Sequence, residues 1–580
     1  MNEKKLIKLL HERSRSLREK RHQVLSKTPE KALSDILDAK NPVELIHSFP
    51  EEDFYFLVHG IGPEDALPLL AMASGKQLDY LLDIDLWHRD RFDHHAAVQW
   101  LNVLMKAEPE RLTRWLSSEK IDFLEFFLFK NIEVKIREQD QEPSEISKAY
   151  MTFDEVYYFR FLESFHDDAI QDDAPGTPEN QDNLKEREQF MTDLLQHLAE
   201  RDHARYIQIL MESATVIPAE SEEEMYRQRN VRLAEKGFLP FEESIGIYQP
   251  LKPEDMDRSR QKAFVKPKEP ESPPLVPFFP NLMMESGSSF AKALGSIQDE
   301  HMVMQLQAEF ASLCNRLIVA DRKGDITKES LREIVGKACG FISIGLDNLS
   351  GGKQTWIRKY PLADLFRVGY GFALDLKWRA EKWRKKSWFA AEGLPLSFWG
   401  EEWLGVVGGL LLKNPLYFDN YQTGVLYRDF STVQDIVETE SVLNQVMAFD
   451  TLLAHVPVKL KPLHGYTLLT YKNLILTLWA RHYTGLDTDV PRFSTLSLDS
   501  FRSFFQELWE PERKPRTVGL AMKQNFLTWL ARTSGLSGAE ITERSGHTLE
   551  TLFHEIENEY ADVADHGLDP RFIPHFLLRK

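Results

Sequence analysis

The sequence predicts an all-α or nearly all-α protein, with a helical-repeat, solenoid-like N-terminal region and a larger helical C-terminal region. Three observations carry this expectation. Short apolar stripes at helical spacing follow one another from Asn41 to Val134, several opened by a proline-acid pair: Pro50-Glu51, Pro63-Glu64 and Pro109-Glu110. Longer stripes of the same period fill the chain beyond residue 283. Regular apolar-polar alternation is scarce, and only Gly424–Arg428 and Lys459–Tyr471 suit a short hairpin.

Residues 1–40 read as an N-terminal charged helix, with Leu10, Leu17 and Val24 at heptad spacing along a side that can lie against the body. In 41–135, Leu67, Leu70 and Ala71, then Leu78, Leu81 and Leu82, then Trp100, Leu101 and Leu104 mark successive helices. Each is too short to bury its own apolar face, so neighbours are expected to stack as repeats. Residues 136–260 combine an acidic loop with a helical segment. Between Met151 and Gln189, eleven carboxylates face three cations, and Asp172–Asn183 has the Pro, Gly and Asn content of a loop. Helical pattern resumes at Asn183–Ser213 and Glu222–Lys236. Residues 261–282 are the expected linker, with six prolines between Lys266 and Pro280. Residues 283–580 form the C-terminal helical domain. Its helices are expected near Ser289–Ala320, Thr327–Asn348, Pro361–Phe389, Phe398–Lys413, Thr432–Leu453, Leu468–Thr484, Asp499–Trp509, Gly519–Thr533 and Thr548–Val563.

Composition narrows the class. At 580 residues the chain is too long for one ordinary core, and 42% hydrophobic residues are enough for real interiors. A formal charge of −19 excludes a protein that coats nucleic acid over its whole surface, so nucleic acid is not the expected partner. Two cysteines, Cys314 and Cys339, exclude a disulfide framework and a four-cysteine zinc site; both sit in apolar helical patterns. Charge interrupts the first twenty residues with no apolar signal region, and no run reaches the length of a membrane span. A cytoplasmic protein without a transmembrane segment is the expectation.

Two clusters carry candidate chemistry. Trp87–His95 (WHRDRFDHH) gathers His88, Asp90, Asp93, His94 and His95, all types that ligate divalent metals. On a helix, Asp90 and His94 would stand at i, i+4 and reach one ion; helix caps in a solvated loop are the alternative. No cofactor is predicted beyond that divalent metal. The second cluster lies within Tyr360–Phe389, where apolar residues recur at helical spacing and tryptophans concentrate. Lys377, Arg379, Lys382, Arg384, Lys385 and Lys386, with Trp383 and Trp388, make a patch suited to an anion or an acidic partner. The alternative is a long helix with its tryptophans inside and its cations at the C-terminal end of the dipole.

Other motifs fail on chemistry. Leu349–Gln354 (LSGGKQ) has the form of a nucleotide-contacting loop but lacks the companion phosphate-binding lysine loop. Asp321–Glu329 (DRKGDITKE) puts Lys323 and Ser330 where a calcium loop needs carboxylates. After His554-Glu555 the second histidine of a zinc helix is replaced by Asn558. No catalytic residue is nominated.

PEEDFYFLVHGIGPEDALPLLAMASGKQLDYLLD resembles the helical repeats of the intracellular N-terminal domain of MgtE-type magnesium transporters, which implies paired helices over residues 50–130. The membrane part of those transporters has no counterpart here, so transport is not implied. IGPEDALPLLAMASGKQLDYLLDIDLWHRD, EEEMYRQRNVRLAEKGFLPFEESIGIY and Phe366–Gly371 together resemble a bacterial family of large proteins of unknown function, which implies no activity or catalytic residue. The favoured class is an intracellular helical scaffold that binds a protein partner. A metal- or ligand-responsive regulatory protein is the second reading, and an enzyme without a linear motif the third.

Overall fold

The structure, a computed structural model, describes residues 3–88, 90–162, 178–258, 276–284, 286–321, 327–349, 353–458, 469–486, 493–511 and 514–579. Among these, helices dominate and sheet is confined to short antiparallel pieces, so the all-α expectation holds. The chain divides into two compact units. The first comprises Met1–Gln249, Glu254–Ile342 and Ser350–Arg367; the second comprises Pro250–Pro253, Ser343–Leu349 and Val368–Lys580. The dividing lines cross the helices Lys328–Asn348 and Leu362–Arg384, and the described residues 254–258 and 276–282 count with the first unit. Of the expected 261–282 linker, residues 261–275 lie outside the described residues, as do residues 350–352 of the LSGGKQ motif and 322–326 of DRKGDITKE.

In the first unit the charged N-terminal stretch forms two helices, Glu3–Leu25 and Pro29–Leu37. The short stripes become Pro42–His47, Glu51–Ile61, Leu67–Met72, Gly75–Asp85, His94–Ala107, Pro109–Ser118 and Ile121–Asn131. Their starts follow local chemistry. Pro42 and Pro109 occupy first-turn positions, where a missing N–H costs nothing. Ser74 and Gln77 close a reciprocal capping box. Pro63-Glu64 does not open a helix. It lies in a turn after Gly62, whose φ of 103° releases the backbone, and the helix begins only at Leu67.

A three-stranded antiparallel sheet interrupts the helices: Ile132–Ile136, Met151–Thr152 and Tyr157–Phe161, with Tyr157–Phe161 central. This corrects the reading of 132–161 as repeat end and acidic loop. IEVKI does alternate and YYFRF is aromatic-rich, but each runs over only five residues. Of the expected loop Asp172–Asn183, residues 172–177 lie outside the described residues, and a helix runs from Pro178 to Arg201.

The described end of the proline-rich stretch is tied down inside the first unit. Asp53, fully buried on Glu51–Ile61, accepts from the backbone N–H of Phe278 at 2.8 Å and of Phe279 at 2.8 Å. The Phe278 ring lies 5.0 Å from the Arg21 guanidinium, and Phe279 packs on Phe56 at 5.1 Å. Cys314 and Cys339 are both buried, as small apolar core residues are, and burial pushes the Cys314 thiol up.

The second unit is built around Tyr471–Tyr483, which is buried at Tyr471 and from Asn473 to Ala480. Thr470 and Asn473 cap its start. Trp479 meets Phe504 at 4.9 Å and Phe526 at 5.0 Å, both edge to face, while Tyr471 stacks on Trp403 at 4.5 Å. Around it stand Gly400–Leu411, Val433–His455, Leu498–Glu507, Leu520–Ser534 and Gly538–Tyr560. The last begins ten residues before the expected Thr548, because Ser537 and Glu540 form a capping box. Tyr417–Phe418 and Tyr427–Arg428 make a small hairpin on Gly400–Leu411. A Cβ on Gly405 would come within 2.4 Å of Phe418, so glycine there permits the contact.

Candidate functional site

The helix expected over Pro361–Phe389 runs from Leu362 to Arg384 and then breaks. Its apolar face is buried, including Leu365, Phe366, Ala373, Leu376, Ala380 and Trp383. The break has a long-range cause. Asp450, buried on Val433–His455, accepts from Trp383 Nε1 at 3.1 Å, Trp388 N at 3.2 Å and Phe389 N at 3.1 Å. It therefore starts a new short helix, Trp388–Ala391, by satisfying its first amides. Burial raises the Asp450 carboxyl, against the pull of these three donors.

The cations of this stretch separate into two sets. Lys377 donates to the carbonyls of Leu412 and of Lys413, the latter at 2.8 Å, just past the end of Gly400–Leu411. Arg379 bridges to Glu440 at 2.5 Å and Asn444 at 2.6 Å. These two tie the helix to the end of Gly400–Leu411 and to Val433–His455. Lys382, Arg384, Lys385 and Lys386 are exposed and make no side-chain hydrogen bond or ion pair among the described residues. Trp378 is 49% exposed and shares a helix side with Lys382 and Lys385, at i, i+4 and i+7. Trp383 is core and Trp388 half-buried, so neither belongs to the exposed surface. Lys377→Met keeps the aliphatic stem and removes the carbonyl contacts. Urea denaturation is expected to show a loss of about 1.5–3 kcal/mol, the range for hydrogen bonds from charged donors. Lys382→Met on the open side should stay within about 0.5 kcal/mol of the parent.

The metal-type residues are not arranged as a helix would arrange them. Trp87–His88 and Arg91–Phe92 pair as a small antiparallel hairpin, so Asp90 sits in its turn and the i, i+4 relation to His94 does not arise. Asp93 is the N-cap of His94–Ala107 and accepts from Ala96 N at 3.0 Å. The His94 ring is buried between Phe92, 4.9 Å away, and Phe126, 5.8 Å away. Asp90 and His95 are exposed, and the His88 side chain lies outside the described residues. Among the described residues no three His, Cys, Asp or Glu side chains gather as metal ligands.

The hairpin does form one wall of a cleft in the first unit, of about 110 Å³. Leu82, Leu86, Trp87 and Phe92 supply an apolar floor, and Asp83, Arg232, Glu119, Lys120 and Asp122 the polar rim. Two ion pairs cross it. Arg232 donates to both oxygens of Asp83, at 2.7 and 2.8 Å, and Lys120 meets Asp79 at 2.7 Å. Burial raises the Asp83 carboxyl while the Arg232 contacts lower it, with a net rise. Arg229 donates to the Asp83 carbonyl at 2.6 Å and lies 5.8 Å from the Trp87 ring. Sequence reasoning singled out neither Glu119, Asp122 nor Arg232. The cleft draws on residues 79–92, 119–123 and 225–232, and no local spacing marks stretches so far apart.

No helix among the described residues is long and apolar enough to cross a membrane. Comparison with curated proteins and with solved structures finds no match, and nothing in the comparisons extends the likeness of residues 50–130 to magnesium-transporter domains. The profile of one family does match, over residues 10–579, nearly the whole chain and both compact units. The chain belongs to the family of unknown function DUF6178.

Proposed function

We propose that this chain is a cytoplasmic helical scaffold that binds an acidic segment of a protein partner at the C-terminal end of the Leu362–Arg384 helix. The supporting observation is the group of four exposed cations, Lys382, Arg384, Lys385 and Lys386, beside the half-exposed Trp378, in a chain of net charge −19. Like charges crowded at one helix end repel, and an acidic ligand relieves that repulsion. The stretch from Trp378 to Lys386 spans only about 12 Å, which suits a short acidic segment. A long polyanion would run past the patch onto a protein of its own sign. Each exposed pair supplies at most about 1 kcal/mol, so several must act together, with Trp378 adding apolar and cation–π contact.

The test is fluorescence anisotropy of a labelled glutamate-rich peptide carrying one phenylalanine, titrated with the full chain. Saturable binding is expected, weakening with salt as the screening length shortens. Lys382→Glu, Arg384→Glu and Lys385→Glu together should weaken it by at least about tenfold. Binding that the triple variant leaves unchanged, or tighter binding to phosphatidylserine vesicles than to the peptide, overturns the reading.

A further inference from the structure

We infer that the cleft between Gly75–Asp85, the Trp87–Phe92 hairpin and the start of Ile121–Asn131 is a binding site for an organic cation, a guanidinium or primary ammonium on a short apolar stem. This is independent of the cationic surface, which lies in the other unit.

Size sets the first limit. The 110 Å³ volume is of the order of a cavity that accepts one benzene, about 150 Å³, and far below the several hundred Å³ of sites for drug-sized ligands. A nucleotide does not fit; one side-chain-sized fragment does. Charge sets the second. The two cations of the rim are already used, Arg232 by Asp83 and Lys120 by Asp79. Glu119 and Asp122 remain: both are exposed at the mouth and neither makes a side-chain hydrogen bond or ion pair among the described residues. The unspent charge of the cleft is therefore negative. An anion would have to displace a bidentate internal pair before it met a free donor.

The floor sets the third limit. Leu82, Leu86, Trp87 and Phe92 line the same cleft as the two carboxylates with apolar and aromatic side chains. An alkyl stem can lie there with its charged head among the rim oxygens, as lysine and arginine side chains do on protein surfaces. The ring of Trp87 already has one guanidinium, that of Arg229, at 5.8 Å. This aromatic surface thus tolerates a neighbouring cation.

The ligand chemistry has two sources, a free amine or guanidine and the arginine of a partner protein. Calorimetric titration of the full chain with butylguanidinium, its neutral isostere butylurea, and a blocked Gly-Arg-Gly peptide separates them. Butylguanidinium is expected to bind at least about tenfold tighter than butylurea. Glu119→Gln with Asp122→Asn, both exposed and so compatible with an intact fold, should remove that preference without moving the melting temperature. Tighter binding of the peptide assigns the site to a partner's arginine; tighter binding of butylguanidinium assigns it to a small molecule. Equal affinity for butylurea, or a preference that survives the double variant, overturns the inference. So does the absence of saturable binding up to millimolar ligand.

Discussion

Asp53→Ala is expected to lower the unfolding free energy at pH 5 by about 2–6 kcal/mol. At that pH the wild-type carboxyl is largely protonated, and the variant leaves the buried amides of Phe278 and Phe279 without an acceptor, each at about 1–3 kcal/mol. Asp53→Asn retains an oxygen within reach of both amides and should cost far less. The two variants also separate on pH. Burial pushes the Asp53 carboxyl up to about 7, with Glu52 adding to the rise and Arg21 and the two amides opposing it. Its unfolded value is about 3.9. The folded chain therefore binds more protons across that interval, and stability from this group falls as pH rises from about 4 through about 7, by roughly 4 kcal/mol in all. Above pH 7 the contribution is level. Urea denaturation between pH 4 and 8 should show the parent losing roughly 4 kcal/mol more across this window than Asp53→Asn, in which the raised carboxyls of Glu52 and Asp83 still titrate. A parent whose stability rises through the same window, with Asp53→Asn following the same curve, would contradict the assignment.

Phe576→Ala should cost about 3–5 kcal/mol, the range for removing a buried phenylalanine. Phe576 is 3% exposed and lies 4.9 Å from Phe501 and 5.7 Å from Phe504, ring to ring. Its segment is held at several further points. Leu577 N donates to Thr477 Oγ1 at 2.9 Å, and Leu496 N to Leu577 O at 2.9 Å. His575 contacts the Tyr560 hydroxyl at 2.9 Å and Glu555 at 3.3 Å, where Lys472 also binds the carboxylate. The segment thus seals the core of the second unit. Phe572, only four residues earlier, is 72% exposed, and Phe572→Ala should stay within about 0.5 kcal/mol of the parent. Denaturation curves of the two variants side by side check the contrast; equal losses would mean that the segment does not pack as described.

What was legible in the sequence was what short-range periodicity encodes. Leu362–Arg384 is readable because its apolar residues fall every three or four positions. Its end is not, because Asp450, which takes the amides of Trp388 and Phe389, stands some sixty residues downstream. The expected helix over Ser289–Ala320 appears as Ser289–Gly295 and Glu300–Asp321 for a more local reason: Asp299 accepts from His301 and Met302 and starts the second helix. The sheet was missed because Ile132–Ile136 and Tyr157–Phe161 find each other only through a twenty-residue excursion. Of the candidate metal ligands, Asp90 stands in a turn, Asp93 is a helix cap and His94 is a buried ring, roles that depend on the hairpin and not on helical spacing. The cationic cluster was legible as composition. Its division into anchoring Lys377 and Arg379 and open Lys382, Arg384, Lys385 and Lys386 depends on carbonyls and carboxylates from other helices.

The claim that the open cations form a docking surface is tested most directly by hydrogen exchange of the full chain with and without the glutamate-rich peptide. A bound acidic segment covers the helix end and its following turn. Added protection is therefore expected in peptides spanning 378–388, and it should disappear in the Lys382→Glu, Arg384→Glu, Lys385→Glu variant. Protection that falls elsewhere in the chain while 378–388 exchanges as in the free protein would contradict the account.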